Sequence, residues 1–160
     1  MMAKKISLAG IYFFSFLSLL SGCSLPRFII LNDPLTPQEH LTLGLSYEKA
    51  GEFDAALKEY QQAAPHLPAA HLYMGNLYFT RGEIAFAEEH YLQALEEDPD
   101  NADACNNLAW LYFSSGKNLA EAYRLVRRAL QLNPSKSEIY LDTLEQIKEK
   151  LSSQKESPHH

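Results

Sequence analysis

Met74-Gly75-Asn76-Leu77-Tyr78, followed by Gly82, Ala87, Tyr91, Ala94 and Pro99, decides how this 160-residue chain is read. The same order stands thirty-one residues earlier as Leu43-Gly44-Leu45-Ser46-Tyr47, Gly51, Ala56, Tyr60 and Ala63. It returns as Leu108-Ala109-Trp110-Leu111-Tyr112, Gly116, Ala122, Val126, Ala129 and Pro134. Pro65 to Pro99 is 34 residues and Pro99 to Pro134 is 35, so one unit is repeated in tandem. Within each unit the large apolar residues fall three and four apart, the spacing of one helix face. Small residues at Gly44, Gly75, Ala56, Ala87 and Ala122 suit a close crossing of two helices. Gly51, Gly82 and Gly116 fit left-handed helix ends, where a Cβ would clash, and the prolines stop the second helix.

This pattern resembles the tetratricopeptide repeat, in which two antiparallel helices occupy about 34 residues. The resemblance implies an all-α fold, a right-handed solenoid of three helix pairs closed by a C-terminal capping helix. Its structural signature is carried by Gly44, Tyr47, Ala56, Gly75, Tyr78, Ala87, Pro99, Tyr112, Ala122 and Pro134. Repeats are expected at about 37–67, 68–101 and 102–136, with helices near 37–50, 53–64, 69–81, 84–97, 102–115 and 119–132. The first unit is three residues short in its second helix. The third has an extra turn residue at Lys117-Asn118 and carries Ala109 where the others have glycine. A capping helix is expected at about 137–151, covering the apolar end that a solenoid must hide. Ile139, Leu144, Ile147 and Leu151 would face inward, and Glu138, Asp142, Glu145, Lys148, Glu149 and Lys150 outward. Residues 152–160 read as a polar tail.

The amino terminus has a different character. Lys4 and Lys5 precede an uncharged, largely apolar run of fifteen residues, Ile6 to Leu20, too short for the ~20 residues of a spanning helix. Leu20-Ser21-Gly22-Cys23 resembles the bacterial lipobox, which implies a lipoprotein signal peptide at 1–22 and a covalent lipid on Cys23. Two or more acyl chains hold a protein to a bilayer far more firmly than one. By the same resemblance Ser24, rather than an aspartate, favours the outer membrane, with the protein facing the periplasm. Residues 23–36 contain Pro26 and Pro34 and read as a lipidated linker. Phe28-Ile29-Ile30-Leu31 inside it has two readings: packing on the first helix pair or the bilayer surface, or a short strand for a partner.

Composition narrows the chemistry. Hydrophobic residues are 46% and charged residues 21%, ordinary for a folded helical protein. Fourteen basic against twenty acidic residues leave −6, which disfavours nucleic acid. Without Lys4 and Lys5 the balance is twelve against twenty, or −8. Two cysteines, one of them claimed by lipid, give no disulfide framework, and Cys105 reads as a buried thiol. His40, His66, His71 and His90 are scattered, so no metal site is assigned and no cofactor beyond the lipid. Glu96-Glu97-Asp98 with Asp100 and Asp103 reads as a solvated turn. No P-loop, G-x-S-x-G, H-E-x-x-H or dinucleotide motif is present, and the chain is read as a non-enzyme.

The resemblance further implies that the first helix of each pair lines a concave groove for a protein or peptide partner. Candidate groove residues are Tyr73, Asn76, Phe79, Asn107, Trp110 and Phe113, with Leu41, Leu45 and Glu48 in the first unit. The aromatics would supply binding energy. Asn76 and Asn107 stand where peptide-binding members of the family place asparagines on the ligand backbone, and an amide both donates and accepts. The basic residues with which chaperone-binding members clamp a terminal dicarboxylate are absent, their places filled by Leu72, Asp103 and Asn107. The implied role is a membrane-anchored scaffold or adaptor at the bacterial envelope. Two alternatives stay open: an accessory subunit of an exported enzyme such as a peptidase, and a structural homo-oligomer.

Overall fold

The computed structural model describes residues 33–156. The signal peptide, Cys23, the Phe28–Leu31 segment and residues 157–160 lie outside the described residues. Among the described residues seven α-helices follow one another: α1 (Pro37–Lys49), α2 (Phe53–Ala63), α3 (Ala69–Thr80), α4 (Ile84–Glu97), α5 (Ala102–Ser115), α6 (Leu119–Leu132) and α7 (Ser137–Glu156). Single 3₁₀ turns at Ala64–His66 and Pro134–Lys136 follow α2 and α6, and no strand occurs among the described residues. Helices α1 with α2, α3 with α4, and α5 with α6 form antiparallel pairs, and α7 packs on α6 and α5. The fold is an all-α solenoid.

Local chemistry sets these boundaries. Thr36 caps α1: its Oγ1 accepts from the Glu39 amide (3.3 Å), and the Glu39 carboxylate accepts from the Thr36 amide (2.7 Å). Asn101 caps α5 by accepting from the Ala104 amide (2.9 Å). Gly51, Gly82 and Gly116 all sit at positive φ (80°, 75° and 68°), as helix-ending glycines must. The extra residue of the third unit is absorbed by Asn118, a non-glycine at φ 47°. The short second helix of the first unit is α2, with 11 residues against 14 in α4 and α6.

The pairs cross closely where the small residues stand. A Cβ built on Gly44 would lie 2.4 Å from Tyr60 Cε1, and one on Gly75 would lie 2.5 Å from Tyr91 Cδ1. In the first two units the tyrosine ring of the second helix thus lies against the glycine of the first. In the third unit both partners change together: Ala109 replaces the glycine and Val126 the tyrosine, and both are fully buried.

The buried side chains form two clusters. The smaller gathers Leu41, Ala56, Tyr60, Ala63, Ala70, Met74 and Leu77, from α1, α2 and α3. The larger runs from Leu72 and Tyr91 through the third unit to Tyr140, Leu144 and Ile147 of α7. Half-buried Tyr78 touches both.

Three expectations need correction. Helix α7 continues to Glu156 rather than ending near 151, so the first residues of the expected polar tail are helical. Ile139 does not cover the last repeat; it is 60% exposed, and Tyr140 takes the inward position. Lys150 does not point away from the body either. Its Nζ donates to the Phe113 carbonyl (2.9 Å) and stands 4.8 Å from the Phe113 ring centroid.

Candidate functional site

Helices α3 and α5 lie side by side, as do α5 and α7, so the first helix of each pair faces a common surface. On α3, Asn76 and Phe79 are one turn apart and half-buried. On α5, Asn107 and Trp110 repeat that arrangement. Together with Thr80 and Tyr91 these four line one concavity of about 230 Å³. Its floor is a connected set of amides. Tyr91 Oη (2.9 Å) and Asn107 Nδ2 (2.8 Å) both donate to Asn76 Oδ1. Burial pushes the Tyr91 phenol up, so it stays a neutral donor. With its oxygen engaged twice, Asn76 keeps Nδ2 without a protein partner among the described residues. A ligand carbonyl is the natural acceptor for it.

The other two expected groove aromatics lie outside this concavity. Tyr73 stacks on Tyr60, with centroids 5.7 Å apart, and packs against the smaller core. Phe113 rests on Trp110 at 5.2 Å, and Lys150 Nζ stands over the Phe113 ring. In the first unit Leu41 is buried in the smaller core and offers nothing to a groove. Leu45 is exposed, and half-buried Glu48 accepts from Tyr60 Oη (2.5 Å).

A second concavity adjoins the first and shares Asn107 and Trp110 with it. It measures about 680 Å³ and is completed by Asn106 of α5 and by Glu138, Ile139, Asp142 and Thr143 of α7. This wall is not marked in the sequence, because a capping helix is expected to turn a polar face to solvent. Asn106, absent from the expected groove residues, does carry a signal in the sequence. Asn106 stands at the register of Leu41 and Leu72, both buried leucines, so a polar residue occupies a core position there. Asn106 Nδ2 donates weakly to Asn107 Oδ1 (3.5 Å), and its buried Oδ1 has no partner.

Elsewhere, His71 and His90 come together across α3 and α4. Their Nδ1 atoms are 3.1 Å apart and their rings stack at 5.3 Å, with Tyr78 lying parallel on His90 at 5.3 Å. Among the described residues no three histidine, cysteine or acidic side chains converge as a metal ion would require. Cys105 is fully buried, and burial pushes its thiol up. Asp103, at the start of α5, accepts from Lys136 Nζ (2.6 Å) and Tyr140 Oη (2.7 Å). Burial pushes its carboxyl up, but these two hydrogen bonds outweigh that and hold it below the usual range.

Family profiles described as "Tetratricopeptide repeat" match residues 41–85 and 102–136, and one described as "TPR repeat" matches residues 75–116. The chain carries tetratricopeptide repeats. Solved tetratricopeptide-repeat structures share the fold. The first repeat domain of Spaghetti (RPAP3) bound to the HSP90 peptide SRMEEVD is 24% identical with a TM-score of 0.67, covering 77% of this chain and 98% of that one. The first such domain of human RPAP3, solved by NMR, is 23% identical at a TM-score of 0.69, covering 79% and 100%. The Sgt2 domain of Aspergillus fumigatus is 20% identical at 0.67, covering 78% and 86%. No curated protein matches the chain in sequence. The repeats explain why Asn76 and Asn107 meet: they stand on the first helices of successive units, which the solenoid sets side by side.

Proposed function

We propose that this protein is a membrane-anchored adaptor, without catalytic activity, that docks a partner protein or peptide in the groove formed by α3, α5 and α7. The observation that carries this reading is the constellation at the groove floor. Two half-buried aromatics, Phe79 and Trp110, flank a hydrogen-bonded amide pair whose Asn76 Nδ2 is left to donate. Aromatic side chains supply contact area at low entropic cost, and a free amide donor suits a peptide backbone. A tetratricopeptide-repeat structure of the same fold holds a heptapeptide, SRMEEVD, which supports docking of a short segment here. Anchoring rests on the Leu20-Ser21-Gly22-Cys23 motif, with a lipid on Cys23 and the outer membrane of a bacterial envelope as its setting.

A photo-crosslinking amino acid at Phe79 in intact cells tests the docking half. One partner band should form, and Trp110→Ala should remove it while helicity is retained. A band pattern indifferent to Trp110→Ala would overturn docking at this surface. Labelled palmitate tests the anchor: it should enter the chain and be lost in Cys23→Ser, and a chain that takes up no label is not lipidated.

A further inference from the structure

We infer that the concavity between α5 and α7 is a subsite for an arginine side chain of the docked partner. The inference rests on the groove reading above and deepens it. Its starting point is an amide relay with a direction. Tyr91 Oη and Asn107 Nδ2 donate to Asn76 Oδ1, and Asn106 Nδ2 donates to Asn107 Oδ1, so the series ends on Asn106 Oδ1. That oxygen is buried and accepts from nothing. Leaving a buried acceptor unmet destabilises the fold, and the equivalent positions of the first two repeats avoid this by holding leucine. An amide kept at a leucine position, 7% exposed and with its acceptor unused, points to a ligand that donates.

The walls define the donor. Glu138 and Asp142 stand one turn apart on α7, exposed, on the rim of this concavity, and no cationic side chain lines it. Lys136, the basic residue nearest along the chain, is held by Asp103. Asp142 also accepts from Gln146 (2.9 Å), which leaves its second oxygen to face a cation. Opposite is Trp110, the aromatic face that best attracts a cation. Exposed Ile139 lies beside it and would shelter an aliphatic stem. An acceptor-lined concavity with an indole wall and two carboxylates fits a guanidinium. That group is planar, carries five donors and stacks on aromatic rings, whereas an ammonium does not stack and is more strongly hydrated. The charge sense is the reverse of what the acidic heptapeptide SRMEEVD in a structure of the same fold would need.

Trp110 is the single tryptophan of the chain, so its emission reports the subsite directly. The full chain in non-ionic detergent is titrated with N-acetyl-arginine amide, N-acetyl-norleucine amide and N-acetyl-glutamate amide. The arginine probe should give a saturable change, the norleucine probe a response at least about tenfold weaker, and the glutamate probe none. Asn106→Leu, which copies the other two repeats, should weaken arginine binding about tenfold while raising the melting temperature. Glu138→Gln with Asp142→Asn, on the exposed rim, should weaken it about threefold without touching the core and serves if Asn106→Leu misfolds. Equal affinity for arginine and norleucine, or arginine affinity unchanged in both variants, would overturn the subsite. A Phe79 crosslink that survives both variants alongside such a result leaves the adaptor standing and removes only the arginine.

Discussion

Gly44 and Tyr60 form the smallest unit that explains the architecture. The tyrosine ring occupies the space a Cβ on residue 44 would need, so Gly44→Ala forces the ring aside and should cost about 2 kcal/mol. The third repeat shows the remedy, since Ala109 is accompanied by Val126. Tyr60→Val should therefore be far less harmful on the Gly44→Ala background than alone, a coupling that urea unfolding of the four-member cycle would read. Each of these residues was visible in the sequence as a repeat position. Their mutual dependence was not, because the pattern marks which residues recur and not which atoms touch. Asn106 teaches the same lesson from the other side. It stands beside Asn107, and only the repeat register marks it as an amide where the other two units hold leucine.

At the scale of elements, the limits of α1 to α6 were legible to within a residue, since glycine, proline and capping residues set them through local backbone chemistry; the end of α7, which has no such stop, was not. Helix facing was less so for α7. Ile139 and Tyr140 are adjacent and both bulky, and a 3.6-residue period cannot choose between neighbours; packing on α5 selects the tyrosine, whose hydroxyl also finds Asp103. Charge alone puts Lys150 outside, whereas its ammonium caps the carboxyl end of α5 at the Phe113 carbonyl. Lys150→Met keeps the stem and removes that bond. It should lower stability by about 1 kcal/mol, seen as a fall in melting temperature, and loosen Phe113 and with it the indole wall. Lys150→Arg should recover most of the loss. Repeat register puts Asn76, Phe79, Asn107 and Trp110 on the first helices of successive units, and in the structure these four line one concavity. The α7 wall was missed because a capping helix was expected to offer solvent only a polar face.

The whole molecule joins two cores through α3, and acid should reveal the joint. His71 and His90 face each other there, with Tyr78 on one side and Glu97 Oε1 3.6 Å from His71 Nε2. Burial pushes both imidazoles below their usual value of 6.5; Glu97 opposes this at His71, while for His90 the charge of His71 adds to it and Glu89 opposes it. The unfolded chain therefore takes up protons first. Stability is full above pH 6.5 and should decline as pH falls through that value towards the lowered folded-state pKa values. Thermal scans from pH 7.5 to 5 should show the decline, and His90→Phe should flatten it; an unaltered slope would place the proton uptake elsewhere. The division into two cores also bears on load. Phe79, Tyr91 and Phe113 all pack with the larger cluster, so a pull on the amino end meets the smaller one first. The leading hairpin can then yield like a fuse in a line, while the grip at the far end holds.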